Sequence, residues 1–129
     1  MSMRLIEVPI GGQRYYARFS TRILVALEER NAANGGPGDP QEELNAIMAS
    51  GKMSALFWLL AQMLEAGRKA AEMDGLTPPP AITYDELLDK TGLEDYDQMF
   101  TLVSQAIYTD SKTTVQTEPA KNGEATPEQ

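Results

Sequence analysis

Apolar and polar residues alternate on both sides of Gly11-Gly12 in "RLIEVPIGGQRYYARFS". Ile6 and Val8 fall on one face of the first run, and Tyr15, Ala17 and Phe19 on one face of the second. Such alternation marks half-buried strands, and a Gly-Gly pair supplies the positive φ angles of a tight primed turn. The pattern predicts a β-hairpin, with Pro9 at an edge or strand end because it donates no ladder hydrogen bond. A lone hairpin is marginal in water, so its apolar face must rest on helices.

From Ser20 onward the spacing becomes helical. Ser20 or Thr21 can cap a helix whose Ile23, Leu24 and Leu27 form a stripe. "NAANGGPGD" (31 to 39) reads as a flexible loop by composition. In "DPQE", Asp39 caps, Pro40 fits the first helical position and Glu42 sits where a capping-box acid belongs, opening a short helix with Leu44, Ile47 and Met48. Ser50-Gly51 breaks the chain before a long helix, roughly 52 to 74, ending at Gly75. "LTPPPAI" is a rigid connector, "TYDE" (83 to 86) opens a short helix closed by Gly92, and a last helix covers about 94 to 109. The expected fold is mainly α: an N-terminal hairpin packed on about five helices in a single domain over 1–110, with a disordered tail over 111–129 that has almost nothing to bury.

The long helix carries the most information. On a wheel, Met53, Leu56, Leu59, Leu60, Met63, Leu64 and Ala70 join Ala55, Phe57 and Ala71 in one apolar arc of about 200°, twice the usual stripe. Such a helix needs cover on two sides. Either it is the centre of the domain or another chain covers part of it. Trp58 lies outside the arc, among Ser54, Gln62 and Glu65. Two readings stand: a neighbouring element such as the hairpin or the last helix folds over it, or it is an exposed anchor of the kind that dominates binding energy. In the last helix, Tyr96, Met99, Phe100, Val103 and Ile107 share a face, and Tyr108 projects from the opposite side. The candidate partner-binding residues are Phe57, Trp58, Leu59, Met63, Phe100 and Ile107. The same greasy surface would also allow self-association.

Composition narrows the chemistry. The chain has 129 residues, a net charge of -8, and neither cysteine nor histidine. Disulfides, thiolate zinc sites and imidazole general bases are thereby excluded. The basic residues are scattered among acids, which speaks against nucleic acid and anionic membranes as partners. "ALFWLLA" is too short to cross a bilayer, and "MSMRLIEVPIGG" lacks the features of a signal peptide, so a cytoplasmic location is expected. Gly51-Lys52 lacks the rest of a phosphate loop, and the acids between Asp85 and Asp97 do not match a calcium loop. No carboxylate pair stands beside a group that would tune it for acid–base work. The expectation is a protein that is not an enzyme and holds no metal and no cofactor.

The order of parts, with "RYYARFSTRILVALEE" (14 to 29), "MSALFWLLAQML" (53 to 64) and "ITYDELLDKTG" (82 to 92), resembles the tail assembly chaperones of long-tailed bacteriophages and prophages. The resemblance covers roughly residues 4 to 110. It implies a small helical protein with a hairpin that binds the tape-measure and tail-tube proteins during tail assembly. It further implies action in the cytoplasm of the host bacterium, absence from the finished particle, and no catalysis. Chaperones of this kind are often made in a second, longer form by a -1 ribosomal frameshift, and "AKN" (120 to 122) could be encoded by a slippery GCA AAA AAC; other codons there would remove the idea. The rival readings are a structural tail or head–tail connector protein and a small acidic helical regulator.

Overall fold

A computed structural model describes residues 5–117, with side chains as far as Thr109. The fold is mainly α, with one two-stranded hairpin and five helices. Strands β1 (Ile6–Ile10) and β2 (Gln13–Ala17) pair antiparallel, Val8 opposite Tyr15. Gly11 and Gly12 have φ of 57° and 81°, the two positive values a type I′ turn requires. Val8, Ile10 and Ala17 face inward and are buried, while Arg14 and Glu7 pair on the outer face at 3.0 Å.

Helix α1 (Thr21–Ala33) buries Ile23, Leu27 and Asn31, one residue per turn on one line. Leu24, expected in that stripe, is exposed instead, because it shares a face with exposed Glu28 one turn on. Helix α2 (Pro40–Ser50) starts as expected, with the Asp39 carboxylate accepting from the N–H groups of Gln41 and Glu42. Glu42 does not complete a capping box; its carboxylate accepts from the Asn31 side chain at 3.4 Å. Gly51, at φ 69°, closes α2 in the left-handed conformation.

Helix α3 (Met53–Met73) is the centre of the molecule, buried on both flanks from Ala55 to Ala71. Its end is a Schellman motif: Leu76 N–H donates to Ala71 O and Gly75 N–H to Glu72 O. One contact explains how two strands can cover a helix so closely. A β-carbon at Gly67 would collide with the Tyr16 carbonyl and lie 2.6 Å from the Ala17 Cα. The absence of a side chain lets β2 lie against the helix backbone, where Arg18 N–H donates to Met63 O at 3.0 Å.

The proline connector passes over Tyr15, Tyr16 and Leu64. Helix α4 (Tyr84–Lys90) carries the complete capping box predicted: Glu86 N–H donates to Thr83 Oγ1, and Thr83 N–H to Glu86 Oε1. It ends before Gly92, because the Thr91 hydroxyl donates to Leu87 O and closes the last turn. A short 3-10 turn, Leu93–Asp95, leads into α5 (Tyr96–Thr117), which buries Met99, Val103 and Ala106 against β1 and α3. The α5 backbone continues past the expected end near 109 as far as Thr117, since extending a formed helix adds a hydrogen bond for each residue fixed. The rest of the expected tail, including "AKN" at 120 to 122, lies outside the described residues. The buried side chains of all seven elements form one cluster.

Candidate partner-binding surface

The six candidate contact residues divide evenly between the core and its edge. Phe57, Leu59 and Met63 are 1%, 0% and 0% exposed, so half of the six candidate contact residues are core. The broad arc is covered by this chain's own elements: the hairpin at Gly67, together with α1, α2, α4 and α5. Of the two kinds of cover the arc allowed, the fold shows the first: α3 is the centre of the domain. A wheel reports how apolar an arc is, but not how many neighbours the chain brings to it.

Trp58, Phe100 and Ile107 are half-buried and pack against the edge of the core. Phe100 stacks on Tyr96 with ring centroids 6.2 Å apart. On the indole of Trp58 lies a side chain from α1. The Arg30 guanidinium lies over the indole, 4.5 Å from the ring centroid. Arg30 is held there by its Nε–H, which donates to the Glu43 carboxylate at 3.1 Å. Glu43 is 6% exposed and also accepts from the side-chain amides of Asn31 and Asn34. A buried carboxylate is tolerated when each oxygen is satisfied, and both are here.

Asn31, 4% exposed, faces this carboxylate on one side and the 34–39 loop on the other. Its Oδ1 accepts from Gly38 N–H at 2.8 Å and Asp39 N–H at 2.9 Å. Gly36 leaves the room its amide occupies, since a β-carbon there would strike it. The loop expected to be flexible by composition is instead pinned by one side chain. Together these groups staple α1, α2 and α3, and they account for the indole's position on the polar side of its helix.

The exposed apolar side chains lie elsewhere. Leu24 and Val25 project from α1, Met73 and Leu76 from the end of α3, and Leu88 and Leu93 flank the end of α4; Tyr108 is 65% exposed. The seam between α1 and α3 takes two of them, Val25 and Met73. Val25, Ala26 and Glu29 face Gln62 across a shallow groove that also touches Arg22. Arg22 continues into a second notch with Arg18, Ser20, Lys69 and Met73 over a floor of Ala66 and Ala70. Sequence reasoning missed this seam because its residues come from two helices and a strand exit. The only signal was the run of exposed-type residues at Arg22 and Val25.

Charge on α3 is locally paired. Arg68 donates to Glu65 at 2.7 and 3.1 Å and to Glu72 at 3.1 Å, and Lys69 lies 3.6 Å from Glu65. The Arg68 hydrogen bond holds the Glu65 carboxyl below its ordinary range; partial burial opposes this and Lys69 reinforces it. Among the described residues, no group of three acids, histidines or cysteines is arranged to hold a metal ion, and no helix is long and apolar enough to cross a membrane. Comparison with protein-family models, with curated proteins and with solved structures finds no match.

Proposed function

We propose that this chain is a tail assembly chaperone of a long-tailed bacteriophage or prophage, acting without catalysis or cofactor by binding the tape-measure and tail-tube proteins in the host cytoplasm. The observation that carries the reading is the resemblance in "RYYARFSTRILVALEE" and "ITYDELLDKTG". The first stretch is β2 with most of α1, and the second is the capping box with α4.

The binding surface in this reading is the outside of the molecule. Exposed Leu24, Val25 and Met73 offer apolar contacts beside the α1–α3 seam. Half-buried Trp58, Phe100 and Ile107 remain as candidates at the core edge. A net charge of -8 would keep a complex with an apolar partner soluble, which is what such a chaperone must do.

Co-expression with the tape-measure protein of the phage or prophage that carries this gene tests the proposal. The tape-measure protein should become soluble and co-purify with the chain. A tape-measure protein that stays insoluble, or is soluble but does not co-purify, contradicts the proposal. Mass spectrometry of purified particles separates it from a structural connector, which would be found in them.

A further inference from the structure

The chain is acidic overall, yet the notch where the hairpin hands over to α1 is lined by basic side chains. Three cations line it, Arg18, Arg22 and Lys69, and no carboxylate does. Its floor is small and apolar, Ala66 and Ala70, and its rim is Met73, 72% exposed. The cavity holds about 180 Å³, room for side chains rather than a cofactor. Arg22 is exposed and makes no ion pair among the described residues, while Lys69 shares Glu65 with Arg68. Glu65 offsets part of the Lys69 charge, whereas acids farther away are screened within about 8 Å at physiological salt, so Arg22 dominates what the notch presents to a partner.

We infer that this notch receives a carboxylate-bearing segment of a partner protein, with Asp or Glu side chains against Arg22 and Lys69 and an adjacent aliphatic side chain against Met73. Charge complementarity selects the occupant: a basic or neutral segment gains nothing from Arg22 and Lys69, and the apolar floor and rim favour a peptide over a small anion. The inference rests on the proposed function for the partner's identity, and on the notch alone for its chemistry.

The test needs no tail protein, so its outcome is separable from that of the proposed function. The probe is a synthetic peptide of four Glu-Glu-Leu repeats, titrated into the isotope-labelled full chain and followed by amide chemical shifts. The control is the same peptide with lysine for glutamate. The glutamate peptide should shift the amides of Arg18, Arg22, Lys69 and Met73 and weaken with salt, and the lysine peptide should leave them in place. The double variant Arg22→Glu, Lys69→Glu should lower the peptide's affinity on the order of tenfold. Arg22→Glu puts an acid in the first turn of α1, where the helix dipole favours it, so the fold should survive, as a melting curve will verify.

Four results overturn the inference, the first three in the titration. Those three are equal shifts from both peptides, unchanged affinity in the double variant, and equal shifts from inorganic phosphate, which would assign the notch to small anions. A change in oligomeric state in the double variant would assign it to a second copy and overturn it as well.

Discussion

Replacing Gly67 by alanine sets two physical effects against each other, and the structure decides which wins. Alanine is the better helix former by about 1 kcal/mol, so propensity alone predicts a more stable protein. The new β-carbon, however, would sit 2.6 Å from the Ala17 Cα and closer still to the Tyr16 carbonyl. These atoms belong to backbone and cannot rotate aside. Ordinary contact begins near 3.5 Å, so β2 must move outward by about 1 Å. That movement stretches the Arg18 N–H to Met63 O bond from 3.0 Å to beyond useful length. It also loosens Val8 and Ala17 in the core.

Overpacking of this kind costs about 1–3 kcal/mol, and the lost hydrogen bond about 1 more. The net loss should be about 2 kcal/mol, or roughly 10 °C in melting temperature for a domain this size. Urea denaturation followed by the fluorescence of Trp58, the single tryptophan, measures it directly. Gly67→Val should be worse. A Gly67→Ala protein as stable as the parent, or more so, would show that the hairpin does not lie against α3 as described.

Other perturbations probe the remaining parts. Trp58→Ala removes a half-buried ring capped by Arg30 and should cost about 2–4 kcal/mol in a denaturation experiment; a variant of parental stability would return the indole to the role of a free anchor. Asn31→Ala leaves the N–H groups of Gly38 and Asp39 and part of the Glu43 carboxylate without their partner, a loss of about 2–3 kcal/mol, with faster proteolysis in the 34–39 loop as a second readout. Glu65 titrates below its ordinary value of 4.5 in the folded state. Its ion pair therefore stabilises fully above that value and fades as pH falls through the lowered one, so an Arg68→Gln variant should be less stable than the parent at pH 7 and indistinguishable from it in strong acid.

Much of the fold could be read from local signals. Gly11-Gly12 announces its hairpin, Thr83 to Glu86 its helix start, and Gly51 and Gly75 the ends of α2 and α3, because each acts within a few residues of itself. Leu24 was misplaced because the helical stripe could be drawn through Ile23 and Leu24 or through Ile23, Leu27 and Asn31. Only a polar asparagine in the core, bonded to a loop and to Glu43, distinguishes them.

The surface was harder. Phe57, Leu59 and Met63 look the same on a wheel whether a partner or the chain itself covers them. α3 is enclosed by elements from both ends of the chain, and one of these contacts, the hairpin at Gly67, joins residues about fifty positions apart in sequence that no periodicity encodes. The Trp58–Arg30–Glu43 stack joins three helices, and the cationic notch joins a strand exit to two helices. Arrangements of this kind become visible only once the elements are docked.

Helix α3 is the interior strut of the folded chain, and the proposed function has partners bind on the outside without opening it. Hydrogen exchange of the isolated full chain tests this most directly. Amides from Leu56 to Ala70 should exchange only through global unfolding, more slowly than those of α4, and their protection should be the same free and in complex with a tape-measure protein. Rapid exchange along α3 in the free chain, with protection appearing only on binding, would contradict the account and restore that helix as the surface lent to a partner.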